Sequence, residues 1–341
     1  MSKNYLITGG AGFIGSNYVH HLLARGDKVT VYDNLSRGGA SRNLAWLQEK
    51  FGENAFRLVV GDVRDAALLT TSSREAEIIV HLAGQVAVTT SVTHPREDFE
   101  ANALGTFNVV EAARLSERRP LVIYASTNKV YGGMDDVAVV EQRTRWEYQN
   151  LPFGCPETQP LDFHSPYGCS KGTGDQYVRD YHRIYGLRSV VFRQSCIYGP
   201  RQFGIEDQGW VAWMTIAAVT GRPITIYGDG KQVRDVLYID DLLDAYDAAV
   251  ERVDTVEGQV YNLGGGSQNV MSIWAEFGPL LEKLLGKPIL VARGDWRPGD
   301  QRVFYADIRK AERELGWKPR VGVDEGVRRL FEWVKENINL C

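Results

Sequence analysis

Tyr167 and Lys171 stand four residues apart, a spacing that puts both side chains on one face of a helix. A phenol in such a pair can act as a general base on an alcohol. Its pKa near ~10 must first fall by about three units, roughly 4 kcal/mol. A lysine ammonium one turn away, with a cationic cofactor ring beside it, carries the right sign of charge to supply much of that shift. Ser126 and Thr127 close the apolar segment that begins at Pro120. The Thr127 hydroxyl suits holding a substrate hydroxyl in line. Taken alone, Tyr-x-x-x-Lys is a common surface pair. It gains meaning from its place, directly after a long loop and at the start of a helix signalled by Ser165-Pro166, an N-cap serine and an N1 proline.

The N-terminus carries the second piece of chemistry. Tyr5-Leu-Ile-Thr-Gly-Gly-Ala-Gly-Phe-Ile-Gly15 is an apolar strand running into G-x-x-G-x-x-G and then a helical pattern. Gly9 permits the tight turn, Gly12 the approach of backbone to a pyrophosphate, and Gly15 the close packing of helix on strand. The helix N-terminus presents unpaired N–H groups and the positive end of its dipole to the anion. A second strand, Lys28 to Asp33, ends in an acid about 20 residues further on, placed to accept from ribose hydroxyls and to repel a 2′-phosphate. NAD is therefore the expected cofactor, with Ser36 and Arg37 leaving NADP as the alternative. The expected cofactor contacts are Gly9, Gly12, Phe13, Ile14, Gly15, Asp33, Asn34, Ser36, Arg37, Asp62, Val63, Leu82, Ala83, Gly84 and Gln85, with Tyr167 and Lys171. Asp62 has two readings, a contact to the adenine amino group or the N-cap of the helix after it.

The elements that position these residues form an α/β pattern. Strands are expected at 28–33, 56–60, 77–83, 120–126 and 187–192, and helices at 17–26, about 43–50, from 102, 165–185 and 323–338. Together they predict a doubly wound parallel sheet of the Rossmann type, with ligands at the carboxyl edge. Residues 133–162 read as a long polar excursion over the site. Val260 to Leu263 reads as a strand returning to the sheet. The expected division is a dinucleotide-binding domain at 1–195, with 231–263 returning to it, and a smaller mixed α/β substrate domain at 196–230 and 264–341.

Bulk composition excludes several classes. The chain has 341 residues, 44% of them apolar and 24% charged, as in ordinary globular proteins. A net charge of −4 without a long basic run gives no nucleic-acid footprint. The longest apolar run, Val211 to Val219, is too short to span a bilayer. The N-terminal apolar run reads as a strand entering the glycine loop, not a secretion signal. Cys155, Cys169, Cys196 and Cys341 lack metal or CxxC spacing. Reduced thiols in a cytoplasmic protein, with no metal, are expected.

The glycine motif, Tyr167-Gly-Cys-Ser-Lys171, Arg193 to Pro200, Gly228 to Asp235 and Tyr238-Ile-Asp-Asp241 together resemble the extended short-chain dehydrogenase/reductases that modify nucleotide sugars. That resemblance spans essentially the whole chain. It implies a Rossmann sheet, a small C-terminal substrate domain and NAD-dependent chemistry on a sugar hydroxyl by Tyr167, Lys171 and Thr127. The 4,6-dehydratases of the family carry Thr-Asp-Glu where this chain has Thr127-Asn128-Lys129, so the acid and base for water loss are missing there. Asn128 and Lys129 read as substrate contacts, or as polar filler at the loop entrance. Longer segments, among them His81 to Ala87, Ser126 to Gly132, Leu161 to Lys171, Asp207 to Val211 and Gly299 to Val303, resemble the branch that epimerises C2 of CDP-hexoses (CDP-paratose to CDP-tyvelose). It implies transient oxidation to a 2-ketosugar and return of the hydride by an NAD that stays bound, with CDP-glucose to CDP-mannose as a further possibility.

Arg234 and Arg302 match the family's diphosphate-binding arginines, whose planar forks suit phosphate oxygens; Arg201 is a third candidate. Cys196 departs from an Asn common at that place. Gln208 lies in the matching segment. Trp210 reads either as a base-stacking or as a core residue, and His164 as a substrate contact or a structural histidine. Relatives pair two helices per subunit into homodimers, some into homotetramers, which points to 102–115 and the helix after Ser165. The rival functions are a UDP-hexose 4-epimerase with the same residues and a non-catalytic NAD-binding scaffold.

Overall fold

Two crossing directions of strand order meet at the first strand of the chain. In the computed structural model, which describes residues 2–297 and 300–340, seven strands form one parallel sheet. β1 (Asn4–Thr8) lies between β2 (Lys28–Asp33) and β4 (Ile78–His81). β3 (Arg57–Val60) continues beyond β2. β5 (Leu121–Thr127), Ser189–Gln194 and Val260–Leu263 continue beyond β4. The order reverses at β1, the switch point outside which ligands of such sheets bind. The strands are apolar because both faces are covered: all four residues of β4 are buried. The core includes Leu6, Tyr32, Ile79, Val109, Val122, Tyr124 and Val178. Gly299 and Cys341 lie outside the described residues.

The crossover helices are α1 (Phe13–Ala24), α2 (Ala40–Phe51) and α3 (Ala66–Ser73). After β4 come two short helices, α4 (Val88–Thr93) and α5 (Pro95–Phe99), then a π-helical turn over Glu100–Leu104 leading into α6 (Gly105–Leu115). α7 (Ser165–Tyr185) has the bounds expected from its sequence. α1 starts at Phe13 rather than Asn17, because Gly15 must lie inside the first turn to reach the strand. Ser189 begins its strand two residues later than expected. The amide of Leu187 closes back on the Tyr181 carbonyl at 3.2 Å, with Gly186 left-handed (φ 63°). The 133–162 excursion is not all loop: Val139–Glu141 and Trp146–Tyr148 pair as an antiparallel hairpin.

The chain divides into two compact units. The first comprises Met1–Val130, Ser165–Arg193 and Leu243–Tyr261. The second comprises Tyr131–His164, Gln194–Leu242 and Asn262–Cys341. In the second, Val233–Tyr238 is flanked by Cys196–Tyr198, Val270–Ser272 and Val303–Phe304. Asp235, fully buried on that central strand, accepts from the amides of Ala306 at 3.1 Å and Gly266 at 3.3 Å and from the Ser195 hydroxyl. It ties three loops together; burial nonetheless raises its pKa to about 6.

In the first unit a buried ion pair anchors α7 to the sheet. Arg193 donates to Asp175 through Nε at 2.9 Å and Nη2 at 3.0 Å, and Ser126 Oγ donates to the same carboxylate at 2.8 Å. Removing one partner strands a buried charge. Arg193→Met should lower the unfolding free energy in urea by about 3–5 kcal/mol. Arg328→Met, on an exposed helix face, should leave the midpoint within error. Equal effects of the two would contradict this account of the anchor.

Candidate active site

The helix that carries Tyr167 begins under strain. Ser165 is left-handed (φ 64°) immediately before Pro166, and its Oγ accepts from the Gly168 amide at 3.2 Å, capping the helix. Tyr167 and Lys171 therefore emerge from the first turns of α7, and both are buried. The Tyr167 phenol is hydrogen-bonded to Thr127, the last residue of β5. Thr127 Oγ1 also accepts from the Lys129 amide at 3.2 Å and donates to Asn128 Oδ1 at 3.4 Å. The structure thus gathers Tyr167, Lys171, Thr127 and Asn128 in one buried place.

The protein's own field shifts the two groups in opposite directions. Lys171 Nζ donates to the Ala125 carbonyl at 2.6 Å and lies 4.4 Å from the centre of the Tyr124 ring. Burial pushes it down to about 7, against the opposing pull of Asp175 and Asp98. Tyr167 moves the other way, to about 12, because burial outweighs the Thr127 hydrogen bond and Asp98 adds to the rise. Lys171 alone does not make the phenol acidic; desolvation of both groups wins. His81, behind them on β4, is pushed down to about 3 by burial and by Lys171. It sits between Thr8 Oγ1 at 2.7 Å and Thr106 Oγ1 at 3.0 Å.

A network absent from the sequence reading adjoins this pair. Asp98 accepts from Ser170 Oγ at 2.5 Å and Asn102 Nδ2 at 3.1 Å. Asn102 also accepts from the Gln85 amide at 2.9 Å and donates to the Gln85 carbonyl at 3.0 Å. The i, i+4 spacing of Asp98 and Asn102 was the available signal. The same Asn102 Oδ1 lies 2.5 Å from where a Cβ on Gly84 would stand, so this loop keeps its glycine for packing.

The glycine loop fits a dinucleotide phosphate. Gly9 is left-handed (φ 72°), and a Cβ on Gly15 would stand 2.1 Å from the Gly9 carbonyl oxygen. Gly12 caps α1 with no side-chain hydrogen bond, so the first N–H groups of the helix have no side-chain acceptor of the protein's own. Phe13 and Ile14, half-buried, form the first turn. Asp33 accepts from the Ala11 amide at 2.9 Å and the Leu35 amide at 2.8 Å, so the ribose-side acid also shapes the loop. Burial raises its pKa. Asn34 donates to Asp62 at 2.9 Å and accepts from Ser36 Oγ at 2.7 Å; Ser36 and Arg37 are exposed.

Asp62 is not a helix cap. The N-cap of α3 is Asp65, which accepts from the Leu68 amide at 3.0 Å, while Asp62 is clasped by Arg64 and held well below the usual carboxylate range. Val63 is buried, its carbonyl accepting from Asn108 at 2.9 Å. Leu82 and Ala83 pass the end of β1 through amide contacts to Thr8 at 3.0 and 3.4 Å. A Cβ on Gly174 would stand 2.4 Å from the Tyr124 hydroxyl, so Gly174 serves packing inside this unit.

The second unit holds the other candidate residues. Arg234 is buried on the central strand, Nη2 donating to Asp300 at 2.7 Å and Nη1 to the Val233 carbonyl at 2.7 Å. The Arg302 carbonyl accepts from the Val233 amide at 2.8 Å, which places Arg302 just before the strand Val303–Phe304 that pairs with the strand of Arg234. The Arg302 guanidinium lies 4.7 Å from the Trp146 ring centre and 6.0 Å from that of Trp296. Trp210 packs edge-on against Phe277 at 5.2 Å. Gln208 closes a small turn with Ile205. Cys196 pairs beside Val236, His164 lies 2.8 Å from Asp162, and Arg201 is left-handed (φ 69°), 5.8 Å from the Trp333 ring.

A buried Tyr–Lys–Thr group at the carboxyl edge of a Rossmann sheet, beside an uncapped glycine loop, defines a dinucleotide-dependent short-chain dehydrogenase/reductase. The family described as GDP-mannose 4,6 dehydratase matches residues 6–330, and the chain belongs to it, among the extended short-chain dehydrogenase/reductases. It is 44% identical over 336 residues to the CDP-paratose 2-epimerase of Salmonella typhi, covering 96% of this chain and 98% of that one. The UDP-glucose 4-epimerase of Thermotoga maritima, solved with UDP-glucose, superposes with a TM-score of 0.84 at 31% identity, covering 98% of this chain and 99% of that one. A double mutant of a dTDP-glucose 4,6-dehydratase from Streptomyces venezuelae, with NAD and DAU bound, also gives 0.84 at 31% identity, covering 98% of both chains. Among the described residues no helix is long and apolar enough to cross a membrane.

Burial lowers Lys171 in the folded chain from 10.5 to about 7. Between those values the unfolded chain binds more protons, so this group makes folding stability rise with pH. Lys171→Met removes that linkage. From about pH 7.5 to 9.5, wild type should gain about 2 kcal/mol over the variant in urea unfolding. Parallel pH dependences would contradict the burial of an ionisable Lys171.

Proposed function

We propose that the protein inverts C2 of a CDP-hexose, converting CDP-paratose to CDP-tyvelose, with CDP-glucose as a second substrate to test. The enzyme is an NAD-dependent member of a family of nucleotide-sugar epimerases and dehydratases. The observation that carries the reading is the Tyr167–Thr127 hydrogen bond at the end of β5, followed by Asn128 and Lys129. It offers a proton acceptor for a sugar hydroxyl and no carboxylate pair for water loss. The 44% identity to a CDP-paratose 2-epimerase supports C2 and the CDP group.

In this reading Tyr167 takes the proton of the C2 hydroxyl and later returns it to the ketone oxygen, so no net proton is consumed. Thr127 holds that hydroxyl in line, and the Lys171 ammonium favours the phenolate. NAD, when bound, supplies the two-electron acceptor and then the donor, along with the positive ring charge that opposes the rise in the Tyr167 pKa. The glycine loop and Asp33 hold its phosphates and ribose, and Asp62 and Val63 the adenine side. Arg234 and Arg302 hold the substrate diphosphate while the hexose turns over; Asn128, Lys129, His164, Cys196, Gln208 and Trp210 are proposed to line the nucleotide sugar. Asp300 already braces Arg234, which reduces the cost of ordering its fork.

The exposed Phe107, Leu115, Tyr177 and Ile184 on α6 and α7 support pairing of two copies, as a homodimer or part of a homotetramer.

Incubation with CDP-paratose, CDP-glucose and UDP-glucose, with products read by NMR, tests the reading. The expected result is inversion at C2 of a CDP-hexose, lowered about 10³-fold in kcat by Tyr167→Phe. A galacto product from UDP-glucose would move the chemistry to C4. No turnover of any nucleotide hexose would leave an NAD-binding scaffold.

A further inference from the structure

Asp98 is the buried charge that the proposed reaction leaves unassigned. It lies on α5, wholly inaccessible to solvent, and its two hydrogen-bond partners, Ser170 and Asn102, are both neutral. Ser170 directly precedes Lys171 and is buried; its Oγ also accepts from Asn102 Nδ2 at 3.1 Å and contacts the Tyr167 carbonyl at 3.1 Å. Asn102 is locked to both backbone groups of Gln85. One carboxylate thus ties the Tyr167–Lys171 turn of α7, the π-helical turn and the loop after β4.

The groups facing Lys171 come from four elements. β5 contributes the Ala125 carbonyl and the Tyr124 ring, β4 contributes His81, α7 contributes Tyr167 and Asp175, and α5 contributes Asp98. His81 is held neutral, and burial keeps the Tyr124 phenol protonated. Asp175 has its own cation in Arg193, at 2.9 and 3.0 Å, and exerts the larger of the two carboxylate pulls on Lys171. Asp98 has no such clasp in its hydrogen bonds. The geometry points to Asp98 as a positioning residue: through Ser170 and Asn102 it fixes the Tyr167–Lys171 turn against the loop after β4, and it adds its negative charge to that of Asp175 near Lys171. The inference rests on Tyr167 and Lys171 being the proton-transfer pair.

The same charge raises both Lys171 and Tyr167. Asp98→Asn keeps the shape and removes the charge, so both groups should titrate lower. The Lys171 titration is read by NMR of protein labelled at lysine Cε, its signal assigned with Lys171→Met, alongside kcat against pH on a substrate that turns over. In Asp98→Asn the Lys171 midpoint should fall, and the alkaline limb of kcat should move down with it. The circular dichroism spectrum should stay near wild type. Ser170→Ala keeps the charge but cuts the tie, so kcat should drop about tenfold with the Lys171 midpoint unmoved.

An unmoved midpoint in Asp98→Asn overturns the electrostatic role. A moved midpoint with an unmoved kcat profile overturns the role in the reaction while leaving the Tyr167–Lys171 pair intact. Full activity of Lys171→Met would instead overturn the pair itself, and the positioning role with it. Should Asp98→Asn fail to fold, full activity of Ser170→Ala overturns the positioning.

Discussion

A lysine ammonium removed from water is the constraint that the first unit is built around. Burial disfavours its charge by several kcal/mol, so the fold must return opposing interactions at close range. It does so with the Ala125 carbonyl at 2.6 Å, the face of the Tyr124 ring and two carboxylates on different helices. Each of these partners is itself anchored. Asp175 is held by Arg193 and Ser126, Asp98 by Ser170 and Asn102, and β5 by its place inside the sheet. Asp175, Arg193, Ser126, Asp98, Ser170 and Asn102 thus form a set of buried polar groups around this side chain. Tyr167 shares the same desolvation, which is why its phenol rises rather than falls in the protein's own field. In the proposed reaction, the positive ring charge of a bound NAD would oppose that rise.

The sequence was most legible where backbone chemistry dictates residue type. The turn at Gly9, the contact at Gly15 and the start of α7 at Ser165 each follow from rules that act within a few residues. The parallel sheet followed from apolar runs ending in polar loops, and its strand limits moved by only a few residues. Asp62 shows the limit of local rules. An acid after a strand fits both a cap and a ligand contact, and only the structure shows Asp65 in the capping position. The Asp98–Ser170 contact spans 72 residues, a separation that no local pattern encodes. The signs of the Tyr167 and Lys171 shifts were likewise out of reach, because they depend on how deeply both groups are buried.

The second unit shows another mixture. Its arginines were found from motif position; Arg234 lies on the central strand, and Arg302 directly precedes the strand Val303–Phe304 that pairs with it. What the pattern did not indicate is how each is restrained, one by Asp300 and the other by two indoles. Restraint of this kind presents the planar guanidinium forks in fixed orientations, which suits bidentate recognition of an anion. It also gives Trp146, inside an excursion that reads as polar loop, a structural reason for its place.

The most direct test of the account follows a label through the reaction. CDP-paratose carrying deuterium at C2 is converted in ordinary water, and the product is examined by NMR and mass spectrometry. Hydride return within one site predicts CDP-tyvelose that keeps essentially all of its deuterium at C2, with none appearing in solvent. Loss of the label to water would mean that C2 is deprotonated rather than oxidised, and the proposed roles of Tyr167, Lys171 and the dinucleotide loop would be wrong.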